Sequence, residues 1–443
     1  MTTLLAPPAA ATASRPSSGR DRGIDLARAV CVVVVVLLHA LMVGVTVDAT
    51  GPVFENASDG AAWFAPLTWV IQVMPLFFVI GGFAGSLAYR RLRTKGGGAV
   101  GFVTARVHRL MLPAVVVIGA VGVGLAMLSI AGVPADIVQT AGFRFGQPLW
   151  FLGVFLLCQA LLPALLAAHD RAPVRTIAAL AAGAVAVDVA RAVTGIDAIG
   201  FLNLALVWLT MQQIGFFLAD GRIDALRART RVVVGLVAAG ALATTFATGV
   251  YSPDLFVNLN PPTAAMLLVG IVQTMVLSLA RGRLRAWSLR PRVAAFTDAV
   301  TARTMTIYLW HMPVLLGMAG VCAAFAVLTG IDLPEPSSAG WWLTRPLWFA
   351  VTIALTAAVA WALSGAERRR MPVTTASAWR TVQAVLLSLA AVVLLLAAGT
   401  TVVTAAVAIT LAVLALRRIR PASGITPGAR SAWTRHPVGA GTR

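Results

Sequence analysis

Charge is what this 443-residue sequence has least of: 12% of its residues are charged, against 59% hydrophobic. Soluble domains carry about a quarter charged residues, so the shortfall excludes an ordinary soluble globular fold. Lys95 is the single lysine; the other basic residues are arginines, a bias that fits a GC-rich bacterial genome. Cysteine is limited to Cys31, Cys158 and Cys322, all inside apolar runs. An odd number of isolated thiols supplies neither a disulfide framework nor a metal-ligand spacing, and the three read as small packing residues. A phosphate-cradling glycine loop, a metal-ligand cluster and a serine elbow are also missing, so no metal and no permanently bound cofactor are expected. The apolar run after residue 20 is too long for the core of a cleaved signal peptide and lacks a small-residue cleavage site after it.

What the sequence has is hydrocarbon-length helices. Apolar runs recur near 24–46, 64–89, 110–130, 149–168, 174–190, 198–219, 232–250, 263–280, 304–329 and 343–364. A last stretch, 382–416, is too long for one crossing and divides at Gly399-Thr400-Thr401, giving about twelve spans of a bilayer. Backbone polar groups find no water in hydrocarbon, so the expected fold class is all-α, a polytopic transmembrane helix bundle. It divides into a disordered tail over 1–21, a ten-helix domain over 22–364, a loop and two additional helices over 365–416, and a second disordered tail over 417–443.

The net charge of +19 does not point to nucleic acid, because the arginines fall in short clusters between spans. Alternate loops (90–109, 169–175, 220–231, 281–303 and 365–380) hold these clusters, and the loops between them hold only Arg144, Arg191 and Arg345. The positive-inside rule then puts both termini in the cytoplasm of a multi-pass protein of a bacterial cytoplasmic membrane.

The first helix carries three ionisable residues on one side. Arg28 and His39 are eleven residues apart, nearly three whole turns, so they share a face within about 20°, with Asp25 about 40° off the same line. His39 sits about 15 Å into the hydrocarbon, near its midplane. An ionisable side chain there is costly unless it serves a polar cavity, and a neutral imidazole is a natural general base for a hydroxyl. Cys31 lies about 80° off the His39 face, which makes it a poor nucleophile candidate and favours direct transfer over a covalent intermediate.

Further motifs follow in order: Pro75-Leu76-Phe77-Phe78-Val79-Ile80-Gly81-Gly82-Phe83, Arg106-Val107-His108-Arg109 with Pro113, Pro148-Leu149-Trp150-Phe151-Leu152, and Tyr308-Leu309-Trp310-His311-Met312-Pro313. With Asp25, Arg28 and His39, these resemble the acyltransferase 3 family of bacterial membrane O-acyltransferases across residues 22–364. Gly81 departs from the family's serine at that place, so no hydroxyl role is assigned there. The resemblance implies transfer of an acyl group from a cytoplasmic acyl-CoA, such as acetyl-CoA, to a hydroxyl of a glycan, lipid or small-molecule acceptor in the cell envelope. No hydrolase-like domain of the kind some members append is expected, nor a relay through one.

Joined to the physics, the resemblance makes His39 the base, with Asp25 and Arg28 beside it as catalytic candidates. Arg106 and Arg109 are the candidates for the donor's phosphates, since guanidinium forks fit phosphate oxygens. Arg90, Arg91 and Arg93 share that loop but read first as topological charge. Asn258, Asn260, Trp150, Tyr308 and His311 are candidates for the acceptor's route. His311 lies about half a dozen residues into its span, and whether it reaches His39 depends on a helix tilt that the sequence leaves open. Gln159, Gln213 and Gln273 read as interhelical hydrogen-bonding residues. The rival reading is a twelve-helix secondary transporter of the major facilitator type. Its short loop between helices two and three and its repeated halves are not matched here.

Overall fold

The computed structural model describes residues 21–49, 51–365 and 372–421. Among them, eleven helical segments are long and apolar enough to cross a membrane, and the fold is an all-α bundle. Residues 1–20 and 422–443, most of the two tails read from the sequence, lie outside the described residues, as do 366–371. The described residues at the tail borders are built into the bundle. Asp21 caps the first helix, its carboxylate accepting from the Gly23 and Ile24 N–H groups at 2.9 and 3.1 Å. Ile419 is buried and its carbonyl accepts from the Thr375 N–H at 2.7 Å.

Helix α1 (Arg22–Met42) leads into a β-hairpin, β1 (Val43–Asp48) and β2 (Gly51–Asn56), paired antiparallel from Val43 opposite Asn56 to Asp48 opposite Gly51. The apolar run alone predicts helix here, not a strand. Val43, Val45 and Val47 alternate with Gly44, Thr46 and Asp48, a β-branched pattern that suits a pleated ribbon at the end of a span. Val43, Val45 and Phe54 pack on Met312, Leu315 and Ala319 of a later helix.

The second apolar run is a broken span, α2 (Phe64–Ile71) and α3 (Met74–Thr94). Pro75 lacks an N–H and disfavours helix before it, which places the break at Gln72 and Val73. Gln273 repairs the freed backbone: its amide donates to the Gln72 carbonyl at 2.5 Å and accepts from the Leu76 N–H at 3.0 Å. Such repair by a neighbouring helix is what permits irregular backbone at membrane depth.

Next come α4 (Ala99–Ile130), α5 (Ala135–Gly146), α6 (Leu149–Arg171), α7 (Pro173–Thr194), a 3-10 turn at Asp197–Leu202, and α8 (Asn203–Ala219). Helix α9 (Ala228–Ala247), α10 (Ala265–Ser288), the short α11 (Pro291–Thr301), α12 (Thr304–Thr329) and α13 (Ala339–Leu363) complete the core. Helices α3 and α8 cross backbone to backbone at two glycines. A Cβ on Gly82 would stand 2.2 Å from the Gln212 carbonyl oxygen, and one on Gly215 2.2 Å from that of Val79. Small residues at such a crossing let van der Waals packing hold helices together in lipid.

The last apolar stretch divides as its glycine predicts. Helix α14 (Ala378–Ala397) ends before Gly399, which is left-handed at φ +71°, and α15 (Val402–Arg418) starts at a Thr401–Thr404 capping box. Ala405, Ala408, Ala412 and Ala415 form one buried stripe of α15 in a core shared with Val107, Met111 and Ala114 of α4 and Leu152 and Leu156 of α6. The added pair therefore buttresses the helix that carries Arg106 and Arg109.

Candidate functional site

Three helices supply the ionisable groups. Helix α1 carries Asp25, Arg28 and His39, α4 carries Arg106 and Arg109, and α12 carries Tyr308 and His311. Asp25 is buried and its carboxylate takes the Arg28 Nη2 at 2.8 Å. This bond orients the guanidinium toward the bundle interior.

Arg28, Arg106, Arg109, Gln159, Tyr308 and His311 all line one cavity of about 210 Å³. The rest of its wall is mostly apolar, with Phe77, Phe151 and Phe155 prominent, and Gly81 and Gly85 of α3 leave the width. The Arg106 guanidinium lies over the Phe102 ring, 4.7 Å from its centre. Among the described residues neither Arg106 nor Arg109 pairs with a carboxylate, so the cavity holds uncompensated positive charge. It opens through Arg28, Ala84, Arg109 and Thr301 into a polar vestibule of about 730 Å³, where Asp21, Arg22, Arg91 and Asp298 also stand.

Asp21 holds this mouth together. Arg281 donates to it through Nη2 at 2.7 Å and through Nε at 2.9 Å, and also bonds Asp224. Burial pushes the Asp21 carboxyl up, yet the Ile24 and Gly23 N–H groups and Arg281 outweigh it and hold the carboxyl below its usual range.

At the inner end the two histidines meet. The rings of His39 and His311 have centroids 4.9 Å apart, tilted by 59°. The height of His311, which the sequence leaves open, is set by the level of α12. Val300, just before α12, packs on Ala29 and Val32 of α1. Helix α12 thus begins about two turns above the start of α1, and from that common level His39 and His311 are equally far along their helices.

Both imidazoles are oriented alike. The Nδ1–H of His39 donates to the Val35 carbonyl at 2.8 Å, and that of His311 to the Tyr308 carbonyl at 2.5 Å. In this tautomer Nε2 carries the lone pair on each ring. His311 Nε2 is buried with no hydrogen-bond partner among the described residues.

His39 faces a smaller space of about 70 Å³ on the side away from the vestibule, lined also by Gln72, Met74, Trp150, Phe256 and Tyr308. Val35, Met74, Phe151 and Tyr308 line both this space and the arginine-lined cavity. The break between α2 and α3 thus forms part of the outer wall, a role sequence reading missed because Gln72 and Gln273 carry no motif. The Tyr308 hydroxyl donates to the Pro148 carbonyl at 2.5 Å, and the Trp150 ring stacks on Trp208.

The other candidates lie elsewhere. Asn258 is buried, and its amide donates to the Ser252 and Asp254 carbonyls at 2.7 and 3.0 Å while accepting from Thr263 at 3.0 Å. It shapes the loop, which presents Phe256 and Leu259 to the outer space; Asn260 is exposed. Arg90 is bound to Asp220 at 2.5 Å and to Asp170 at 3.1 Å, outside the cavity. Asp220 in turn accepts from His169 Nε2 at 3.0 Å, and Gln213 donates to His169 Nδ1 at 2.8 Å. Among the described residues no cluster of three or more His, Cys, Asp and Glu is arranged to hold a metal ion.

A family model described as an acyltransferase domain matches residues 21–365. No curated protein and no solved structure matches the chain.

Proposed function

Since the chain belongs to the acyltransferase 3 family and is a multi-pass membrane O-acyltransferase, we propose that it takes its acyl group from acyl-CoA on the vestibule side and delivers it to a hydroxyl on the other. The observation that carries this reading is the single cavity shared by Arg28, Arg106, Arg109 and His311, with His39 in ring contact at its inner end.

The nucleotide end of the donor lies in the polar vestibule, with its phosphates against Arg106 and Arg109, which pair with no carboxylate among the described residues. Arg28, steered by Asp25, completes the cationic mouth. The narrow apolar part takes the pantetheine arm, which brings the thioester to the histidines. The acceptor hydroxyl enters from the outer space past Trp150 and Tyr308. His39 Nε2 removes the hydroxyl proton as the oxygen attacks the thioester carbonyl. The carbon–sulfur bond then breaks, and the departing thiolate takes a proton back from the imidazole pair, so atoms and charge balance. Acetyl-CoA is the donor in this reading, and a glycan, lipid or small molecule of the envelope the acceptor. The vestibule faces the cytoplasm of a bacterial cell and both termini lie on that side, in line with the arginine clusters.

The test is donor binding by the purified chain in nanodiscs, read by isothermal titration with acetyl-CoA. Micromolar to millimolar binding that falls about tenfold or more in Arg106→Gln and Arg109→Gln is expected, the scale of a lost charge-assisted hydrogen bond. Unchanged affinity in both variants would remove the donor from this cavity.

A further inference from the structure

At the end of the bundle that carries the β-hairpin, a second large cavity opens between α12 and α13. It measures about 680 Å³ and shares no lining residue with the donor cavity. Its long wall is hydrocarbon, including Val321, Leu347, Val351 and Leu355. These side chains are exposed, Val321 and Leu347 each at 70%, and they sit on membrane-spanning helices, so the cavity opens sideways into lipid.

One charged residue lies inside it. Arg345 is only 8% exposed. Its guanidinium carbon stands 4.3 Å from the Trp341 ring centre and 5.1 Å from that of Trp348. Nε and Nη1 are buried with no hydrogen-bond partner among the described residues, and no carboxylate there pairs with the group. Arg191, on the same side of the membrane by the charge pattern, is by contrast paired with Asp197. Aromatic faces attract a cation but do not replace hydrogen-bond acceptors, and a guanidinium buried at membrane depth calls for an anion.

We propose that this cavity binds a membrane lipid whose phosphate headgroup carries a net negative charge, rather than a zwitterionic headgroup that brings its own cation. The phosphate oxygens take the free edge of the Arg345 fork between the two tryptophans. The hydrocarbon chain lies along Val321, Leu347, Val351 and Leu355. A soluble phosphate would satisfy the arginine alone and leave the apolar wall unused, so the shape favours the lipid. The site is also wired to the histidines. Trp348 Nε1 donates to the carbonyl of Ala40, the residue after His39, at 2.9 Å. Trp348 also packs in one cluster with Met312, the residue after His311. A bound lipid therefore holds the tryptophan that braces both catalytic candidates. This inference rests on Arg345 and its cavity and stands apart from the acyl-transfer reading.

Native mass spectrometry of the full chain, released from neutral detergent, tests it with three probes: phosphatidylglycerol, phosphatidylcholine and inorganic phosphate. Arg345→Gln removes the fork. Gly317→Leu blocks the groove with Arg345 intact, because Gly317 lines the cavity and a Cβ there meets nothing within 4 Å. The expected result is a phosphatidylglycerol adduct on the wild type that weakens about tenfold or more in each variant, with phosphatidylcholine binding weakly. Inorganic phosphate is expected neither to bind nor to compete. Equal binding of the two lipids, saturation by inorganic phosphate, or wild-type lipid binding by Gly317→Leu overturns the proposal. If Arg345→Gln fails to fold, Gly317→Leu decides alone.

Discussion

His39 and His311 stand ring to ring, 4.9 Å apart, with each Nδ1 tied to a carbonyl of its own helix. The pairing matters because His311 lines the arginine cavity while His39 lines the space beyond it. Tyr308 lines both spaces but its hydroxyl is donated to the Pro148 carbonyl, which leaves the two imidazoles as the basic groups among the described residues where those spaces adjoin.

Replacing either ring should therefore stop transfer and leave donor binding in place. For His39→Ala and His311→Ala, a fall in turnover of about 10²–10⁴ is expected, the usual size of a general base contribution. The double variant should be little worse than the worse single one, since groups acting as a unit are not additive. Single-turnover assays with labelled acetyl-CoA, alongside titration of donor binding, separate the two effects.

Arg106 and Arg109 should act on KM. Each change to Gln is expected to raise the KM for acyl-CoA by about ten- to a hundredfold, as for other hydrogen bonds to charged groups, with kcat much less affected. Raising ionic strength should mimic the substitutions in the wild type, because the vestibule is open to screening. Steady-state kinetics over a salt series check both.

The α3–α8 crossing should be intolerant of a single methyl. Gly82→Ala and Gly215→Ala both drive a Cβ into a backbone carbonyl oxygen, which neither helix can relieve by turning a side chain. A loss of about 1–3 kcal/mol is expected from such overpacking, read as a lower melting temperature in detergent. Gly124→Ala, where nothing lies within 4 Å, is the matched control.

Asp220 ties α3 and α6 to the end of α8 and gives a pH signature. Burial raises its carboxyl, but hydrogen bonds from Arg90 and His169 outweigh that and hold it below the ordinary value of 3.8. A depressed folded value means the carboxylate stabilises the fold fully above the unfolded pKa, and that the contribution fades as pH falls through the folded one. Asp220→Asn should thus lower the melting temperature at neutral pH, and the gap to wild type should close on acidification below about pH 4. Parallel melts from pH 7 to pH 3 check the sign.

Much of this was legible in the residues. Run length and arginine clusters predict the spans, and Gly399 predicts the last division. The eleven-residue step from Arg28 to His39 predicts a shared face. What could not be read was relative height. The height of His311 stays open because nothing in a sequence says that α12 starts level with Ala29 and Val32. The hairpin was hidden for a similar reason: Val43–Val47 extends an apolar run, and periodicity does not separate a strand from one more helical turn. Asn258 illustrates a different limit: its position before a helix suits the acceptor's route and turn chemistry equally, and its amide closes its own loop.

The most direct test of the central claim is label transfer. Membranes holding wild type or His39→Ala at matched expression are given radiolabelled acetyl-CoA, and the label in envelope glycans and lipids is counted. The expected result is an envelope component labelled by the wild type and at background in the variant. Equal labelling by the two would contradict it and remove His39 from the chemistry.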